Sequence, residues 1–248
     1  MEQENNSALQ SSSSTKKAGP IFECKALTKS YGKKRGIKNI GLKLQRGKVY
    51  GLLGKKGSGK TTLIKLACGL ITPDSGRIAI KGIPPCTFTK SLISYIPQYA
   101  FFDDNMSING YLSFYSDFFP DFNRRKAEKM IAKQALELKL KAFELTYIER
   151  KKLQLILTMC RSADLYLIDE PFAGVDTATR EKLLDIIILG ANPKSTIVIA
   201  TRMVSDVEKI IDEAIFIHKG EIRLKKSVEA IREEYDMGVA NLFMEAFK

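Results

Sequence analysis

Gly54-Lys55-Lys56-Gly57-Ser58-Gly59-Lys60-Thr61 decides how the rest of this chain is read. It satisfies the phosphate-loop pattern G-x-x-x-x-G-K-S/T at every position. An apolar run, Val49 to Leu53, leads in as a predicted strand, and a helix-like run, Thr62 to Leu70, leads out. In that setting the glycines let successive backbone N–H groups turn inward and cradle phosphates, and the helix N-terminus adds partial positive charge. Lys60 is expected to reach the β- and γ-phosphates, and Thr61 to offer its hydroxyl to Mg²⁺.

Moving outward, Leu165-Tyr166-Leu167-Ile168-Asp169-Glu170-Pro171 supplies what the loop lacks. A continuous apolar run ending in acids reads as a buried parallel strand with its carboxylates at the tip. Asp169 is placed to hold Mg²⁺ and Glu170 to polarise the water that attacks a γ-phosphate. Two further buried strands are expected at Thr196–Ala200 and Ala214–His218, and short strands with glycine turns between Ile21 and Gly82. Between the two phosphate motifs the pattern turns helical. One helix is expected over Arg124–Leu140, capped by Asn123 or a neighbour, and a second over Glu149–Arg161. The reading is an α/β core with a helical insertion at about 103–155.

Bulk properties agree with a single α/β domain. The 248 residues are 44% hydrophobic and 27% charged, ordinary values for a globular chain able to bury a core. No apolar stretch reaches the ~18 residues of a membrane span. Residues 1–19 are rich in Ser, Asn and Gln, expected to be disordered, and lack the pattern of a signal peptide, which points to a cytoplasmic chain. Cys24, Cys68, Cys86 and Cys160 have no metal-ligand spacing and read as reduced, partly buried thiols. The net charge of +12 is uneven, with fifteen Lys/Arg against one acid between Lys16 and Leu66. Such a block attracts nucleic acid or anionic lipid. Without a nucleic-acid-binding motif, a triphosphate neighbourhood and a solvated face explain it better, and no direct nucleic-acid contact is expected.

From about Phe22 to Ile231 the chain resembles the ATP-binding subunit of an ABC transporter. Beyond the two phosphate motifs, Tyr31 in Thr28-Lys29-Ser30-Tyr31-Gly32 matches the aromatic that stacks on adenine in that family. Gln98 in Ile96-Pro97-Gln98 matches the glutamine that links the Mg²⁺ site to the transmembrane partner, and Ala173-Gly174-Val175-Asp176 matches the loop crossing the dimer interface. Phe114 to Phe122 and Lys152 to Leu157 are closest to bacterial ATPases of ABC-2-type exporters.

The resemblance implies the ABC ATPase fold: a P-loop NTPase core with an antiparallel β subdomain and an inserted helical subdomain. It implies an ABC ATPase domain at 20–231 and a C-terminal helical tail at 232–248. ATP and Mg²⁺ are its ligands. Gly54, Lys55, Lys56, Gly57, Ser58, Gly59, Lys60, Thr61, Thr62 and Tyr31 make the nucleotide contacts, and Thr61, Gln98 and Asp169 hold the metal. Glu170, Gln98 and Arg202 are the residues of turnover. A transmembrane permease subunit is the implied partner, with the chain peripheral on the inner face of the cell membrane.

Two positions depart from the family. Where it has leucine-serine-glycine-glycine-glutamine, this chain has Leu145-Thr146-Tyr147-Ile148-Glu149. Glycines there let backbone N–H groups approach the γ-phosphate of a partner's ATP, and side chains at Tyr147 and Ile148 obstruct that approach. Where the family has a histidine after Ser/Thr, this chain has Thr201-Arg202, and a guanidinium cannot accept a proton. The only histidine, His218, reads as structural. A heterodimer with a second ABC ATPase is therefore expected over a homodimer, with reduced intrinsic turnover. The alternatives are a soluble ABC ATPase acting on nucleic acid or ribosomes, and a regulatory module that grips ATP with little hydrolysis.

Overall fold

The computed structural model describes residues 19–32, 34–99, 102–192 and 194–247. The segment expected to be disordered, 1–19, lies outside them except for Gly19. The chain opens with β1 (Phe22–Tyr31), β2 (Lys34–Leu44) and β3 (Val49–Leu53), and β3 runs through the glycine loop into α1 (Lys60–Ala67). Then come β4 (Ser75–Ile80), α2 (Thr87–Ser91), β5 (Ile93–Ile96), α3 (Ile108–Phe118), α4 (Arg124–Lys133) and α5 (Tyr147–Met159). The remainder is β6 (Leu165–Asp169), α6 (Thr177–Gly190), β7 (Thr196–Thr201), α7 (Val204–Val207), β8 (Glu213–His218), β9 (Glu221–Ser227), α8 (Val228–Tyr235) and α9 (Val239–Ala246).

Two sheets result. An antiparallel one has the order β2-β1-β4, and a larger one the order β5-β6-β7-β3-β8-β9, parallel except for the β8–β9 hairpin. Every residue of β6 and β7 is buried, as expected of parallel strands covered on both faces. Their side chains alternate between two apolar layers. Tyr166, Ile168, Ile197, Ile199 and Phe216 face the helical side, while Leu165, Leu167, Val198, Ala200 and Ile215 face α1 and the antiparallel sheet. That is the period-two geometry of the pleat.

The helices follow their caps more closely than their apolar periodicity. Asn123 caps α4 as expected, its Oδ1 accepting from the Lys126 N–H at 2.9 Å. The helix stops at Lys133 instead of running to Leu140. Ala135 turns left-handed at φ +56°, and the Leu136 N–H reaches back to the Ile131 carbonyl at 3.3 Å, a Schellman-type closure. Leu136, Leu138 and Leu140 recur every second residue, a spacing that no single helix face can bury. At α5 the start moves the other way. Thr146 rather than a later residue caps it, so the helix begins at Tyr147 and ends at Met159.

Arg161, expected to be helical, leaves α5 and is buried. Its guanidinium donates to the Ile93 and Ser91 carbonyls at 2.9 Å each, pairs with Asp121 at 3.1 Å, and lies 4.1 Å from the centre of the Phe119 ring. This one side chain pins the helical insertion to the edge of the large sheet. At the opposite end Phe243 and Phe247 pack on Phe216, with ring centres 5.2 and 5.8 Å away. The cysteines are all free, three buried and Cys86 exposed.

Because Phe243 sits in the same apolar layer as the β8 core, Phe243→Ala is expected to destabilise the whole domain by roughly 3 kcal/mol. Urea denaturation followed by circular dichroism measures it. A loss below about 0.5 kcal/mol would mean that α9 is an appendage.

Candidate functional site

Register places the site. In the parallel ladder Leu53 lies beside Thr201, and Asp169 beside Ala200. The carboxyl ends of β3, β6 and β7 therefore lie side by side, where open α/β sheets bind ligands. The glycine loop leaves β3, Glu170 follows β6, and Thr201-Arg202 ends β7. Gln98 is half-buried two residues beyond β5, the next strand over.

The loop has the shape that its sequence requires. Gly57 takes φ +80° with open space where a Cβ would stand. Gly59 takes φ +112°, and a Cβ there would lie 2.6 Å from the Gly36 carbonyl oxygen, so only glycine fits. Lys60 folds over the loop and donates to the Gly54 carbonyl at 2.7 Å and the Lys55 carbonyl at 3.3 Å. Lys55 and Lys56 are exposed, Lys55 donating to the Phe247 carbonyl, and Thr62 is buried in the first turn of α1. Tyr31 is 47% exposed at the end of β1. Its ring and Thr62 Cγ2 flank Gly36, at 2.9 and 3.1 Å from where a Cβ would be, which places the aromatic beside the loop.

Two buried oxygens in the site have no hydrogen-bond partner among the described residues: Ser58 Oγ in the loop and Asp169 Oδ1. Asp169 is 1% exposed, and its other oxygen accepts from the Thr61 hydroxyl at 2.7 Å. Burial pushes the Asp169 carboxyl up from the ordinary carboxylate range; the Thr61 hydrogen bond opposes this, and the neighbouring Glu170 charge adds to it. A dry carboxylate with one unfilled oxygen beside a hydroxyl is a hard, oxygen-only donor pair. That fits Mg²⁺, which takes one or two protein ligands and completes its shell with phosphate oxygens and water.

Glu170 stands on strained backbone, at φ +48°. Lys60 Nζ lies 3.2 Å from its Oε1. Its Oε2 accepts from the Thr201 hydroxyl at 3.2 Å and from the Arg202 N–H at 3.3 Å. Arg202 thus reaches Glu170 through its backbone, while its side chain is exposed. His218 stacks on the Phe247 ring at 5.0 Å, away from these carboxylates' hydrogen bonds.

The start of α5 is closed from within. The Thr146 hydroxyl and N–H both donate to Glu149 Oε2, at 2.7 and 2.8 Å, and these bonds hold the Glu149 carboxyl below its usual range. Tyr147 bends its hydroxyl onto the Ala173 carbonyl at 3.0 Å, its ring 3.4 Å from a Cβ built on Gly174. Lys151, buried, donates to the Pro171 carbonyl at 3.3 Å. Sequence reasoning missed Thr201 and Lys151 as parts of the site. Thr201 enters the sequence pattern only as the residue before the family's histidine position, and a Lys in a basic helix carries no pattern that marks it.

A family profile described as ABC transporter matches residues 37–173. The ABC transporter ATP-binding protein YtrB of Bacillus subtilis (strain 168) is 27% identical over 218 residues, which span 87% of this chain and 75% of that protein. The ABC-type transporter ATP-binding protein EcsA of the same organism is 25% identical over 243 residues, spanning 92% of this chain and 97% of EcsA. Among solved structures, an ATP-binding subunit of an ABC transporter superposes with a TM-score of 0.82 at 22% identity, covering 92% of this chain and 100% of that one. A second, cbiO1 from Clostridium perfringens, described as part of the ABC transporter complex cbiONQ, gives 0.72 at 20% identity, covering 88% and 92%.

The raised Asp169 carboxyl means that its charged form opposes folding. The fold gains from the neutral acid below the ordinary carboxylate range and loses that gain as pH rises through the raised native value. Asp169→Asn is therefore expected to raise the melting temperature of nucleotide-free protein at about pH 8 by roughly 2–4 °C per kcal/mol relieved. The gain should shrink as pH falls and vanish well below the ordinary carboxylate value of about 3.9, where the acid is neutral in both states. A pH series of thermal melts checks this, and an equal gain at every pH would refute it.

Proposed function

The chain belongs to the ABC transporter family of ATP-binding subunits and is an ATP hydrolase; on that premise we propose that it powers export through a membrane permease, at a turnover that depends on a second ATPase subunit. The observation that carries the proposal is the start of α5. Thr146, the one hydroxyl kept from the signature, is already committed to Glu149. A carboxylate at that helix end repels the phosphate that the family's signature receives. Tyr147 covers the same corner by binding Ala173. In a homodimer both composite sites would lack a working signature. In a heterodimer with a subunit that keeps its glycines, the site built on this chain's loop is completed by the partner.

In that site Lys60 and the loop N–H groups would bind the phosphates, Tyr31 would stack on the base, and Thr61, Asp169 and Gln98 would hold Mg²⁺. Mg²⁺ held there would supply positive charge to offset that of the phosphates. Glu170 takes the proton of the attacking water, water oxygen bonds to the γ-phosphorus, and ADP departs as the bridging P–O bond breaks. Arg202 replaces the family's histidine; its guanidinium can donate hydrogen bonds and charge to phosphate but cannot accept a proton.

The permease-facing surface in this reading is the outer side of α3. Phe114 and Phe118 stack with centres 4.4 Å apart, and Phe118 is 66% exposed. Beside them Leu70, Tyr95, Tyr115 and Phe119 line an open cleft of about 240 Å³. Large exposed aromatics beside an apolar cleft are the make-up of an interface centre. Among the described residues no helix is long and apolar enough to cross a membrane.

Two measurements test the proposal. The purified chain alone is expected to hydrolyse ATP well below ~10 s⁻¹, an ordinary enzyme rate. A turnover at that rate, in a homodimer, would remove the need for a partner subunit. Phe118→Asp is expected to weaken capture of the cognate permease about 10- to 30-fold while leaving ATP affinity as it is. Undiminished capture would put the docking surface elsewhere.

A further inference from the structure

Thr201 ends β7 with its hydroxyl on the Glu170 carboxylate. Its side chain is fully buried, and its hydroxyl has a fixed sense. The Met203 N–H donates to Thr201 Oγ1 at 3.0 Å, so that oxygen's lone pair is engaged and its proton points to Glu170 Oε2 at 3.2 Å. The Arg202 N–H donates to the same Oε2 at 3.3 Å. The opposite oxygen, Oε1, pairs among the described residues with Lys60, at 3.2 Å. Lys60 is also the group that a triphosphate recruits.

We propose that Thr201 is a positioning residue for hydrolysis: with the Arg202 N–H it anchors Glu170 Oε2, so that Oε1, released when Lys60 turns to the phosphates, is the oxygen that accepts the proton from water. The two carboxylate oxygens thus have separate duties, one tethered and one working. The tether matters because Glu170 leaves β6 in a left-handed conformation and has no helix or strand of its own to hold it. It also explains how the base stays aimed without the family's histidine. The orienting donors come from the hydroxyl before that position and from the backbone at it, neither of which the change to Arg202 removes. This rests on the chain's being an ATPase and is independent of which subunit completes its site.

Thr201→Val keeps the shape and removes the donor, and Thr201→Ser keeps the donor. In the full-length chain, Thr201→Val is expected to lower kcat for ATP about 10- to 100-fold with KM within twofold, since a displaced base costs rate and not affinity. Thr201→Ser should recover most of the loss. Amide hydrogen exchange gives a second reading that needs no turnover. In Thr201→Val the Arg202 amide should exchange at least tenfold faster, because the untethered carboxylate leaves it, and in Thr201→Ser it should return to the wild-type rate. An unchanged Arg202 amide in Thr201→Val, or a serine variant as slow in turnover as the valine variant, overturns the proposal. If the valine variant melts below assay temperature, Thr201→Ala is read by the same two measurements. A fast wild-type chain would sink the partner requirement above and leave this test intact.

Discussion

The parallel pairing of β3, β6 and β7 is the constraint on which the site depends. These strands are covered on both faces, so their side chains divide between two apolar layers and their polar residues collect at the carboxyl ends. Leu53 beside Thr201, and Asp169 beside Ala200, bring the loop, the acid pair and the β7 end to one edge. A slip of one residue in β6 would exchange every side chain between layers and carry Asp169 away from Thr61. The distance between those two, 2.7 Å from hydroxyl to carboxylate, is the result of register rather than of either residue alone.

That edge is costly to maintain. It holds a carboxylate with an unfilled oxygen, a buried serine hydroxyl with no partner, and a glutamate on left-handed backbone. The left-handed backbone at Glu170 alone costs on the order of 1–3 kcal/mol, against a net stability of about 5–15 kcal/mol for a domain. The surroundings brace it. Arg161 ties the helical insertion to the sheet edge through four groups at once. On the other flank, Glu208 caps α9 by accepting from the Val239 and Ala240 N–H groups at 2.8 and 3.2 Å, while Lys55 of the loop donates to the Phe247 carbonyl at the far end. The last helix therefore bridges the segment after Arg202 and the phosphate loop.

The start of α5 shows how few substitutions redirect a helix N-terminus. With glycines, its N–H groups are open to an incoming anion. With Tyr147, the helix end is bound to Ala173 of its own chain, and Lys151 one turn on is bound to Pro171. The segment just after Glu170 is thereby tied to α5 within one subunit.

The chemistry of the phosphate site was legible in the sequence because it rests on local requirements. Only glycine supplies φ +112° at Gly59 against a carbonyl, and only an apolar strand ending in acids puts Asp169 and Glu170 at a buried tip. Asn123 as a cap was legible for the same reason. Helix lengths were less so: α4 ends seven residues early because Ala135 turns left-handed, a choice made by packing of Leu136 and not by propensity. Thr201, Arg161 and the hydroxyl of Tyr147 were not legible as functional or bracing groups at all. Their partners lie 31, 40 and 26 residues away in the chain, so no local pattern records them. The sequence by itself determined the glycine loop and the acid pair at a strand tip, since those come from contiguous backbone and adjacent side chains. Only the tertiary structure decided which oxygen of Glu170 is tethered and that Thr146 is already taken, because both depend on which strand and helix ends the folded core brings within hydrogen-bond reach.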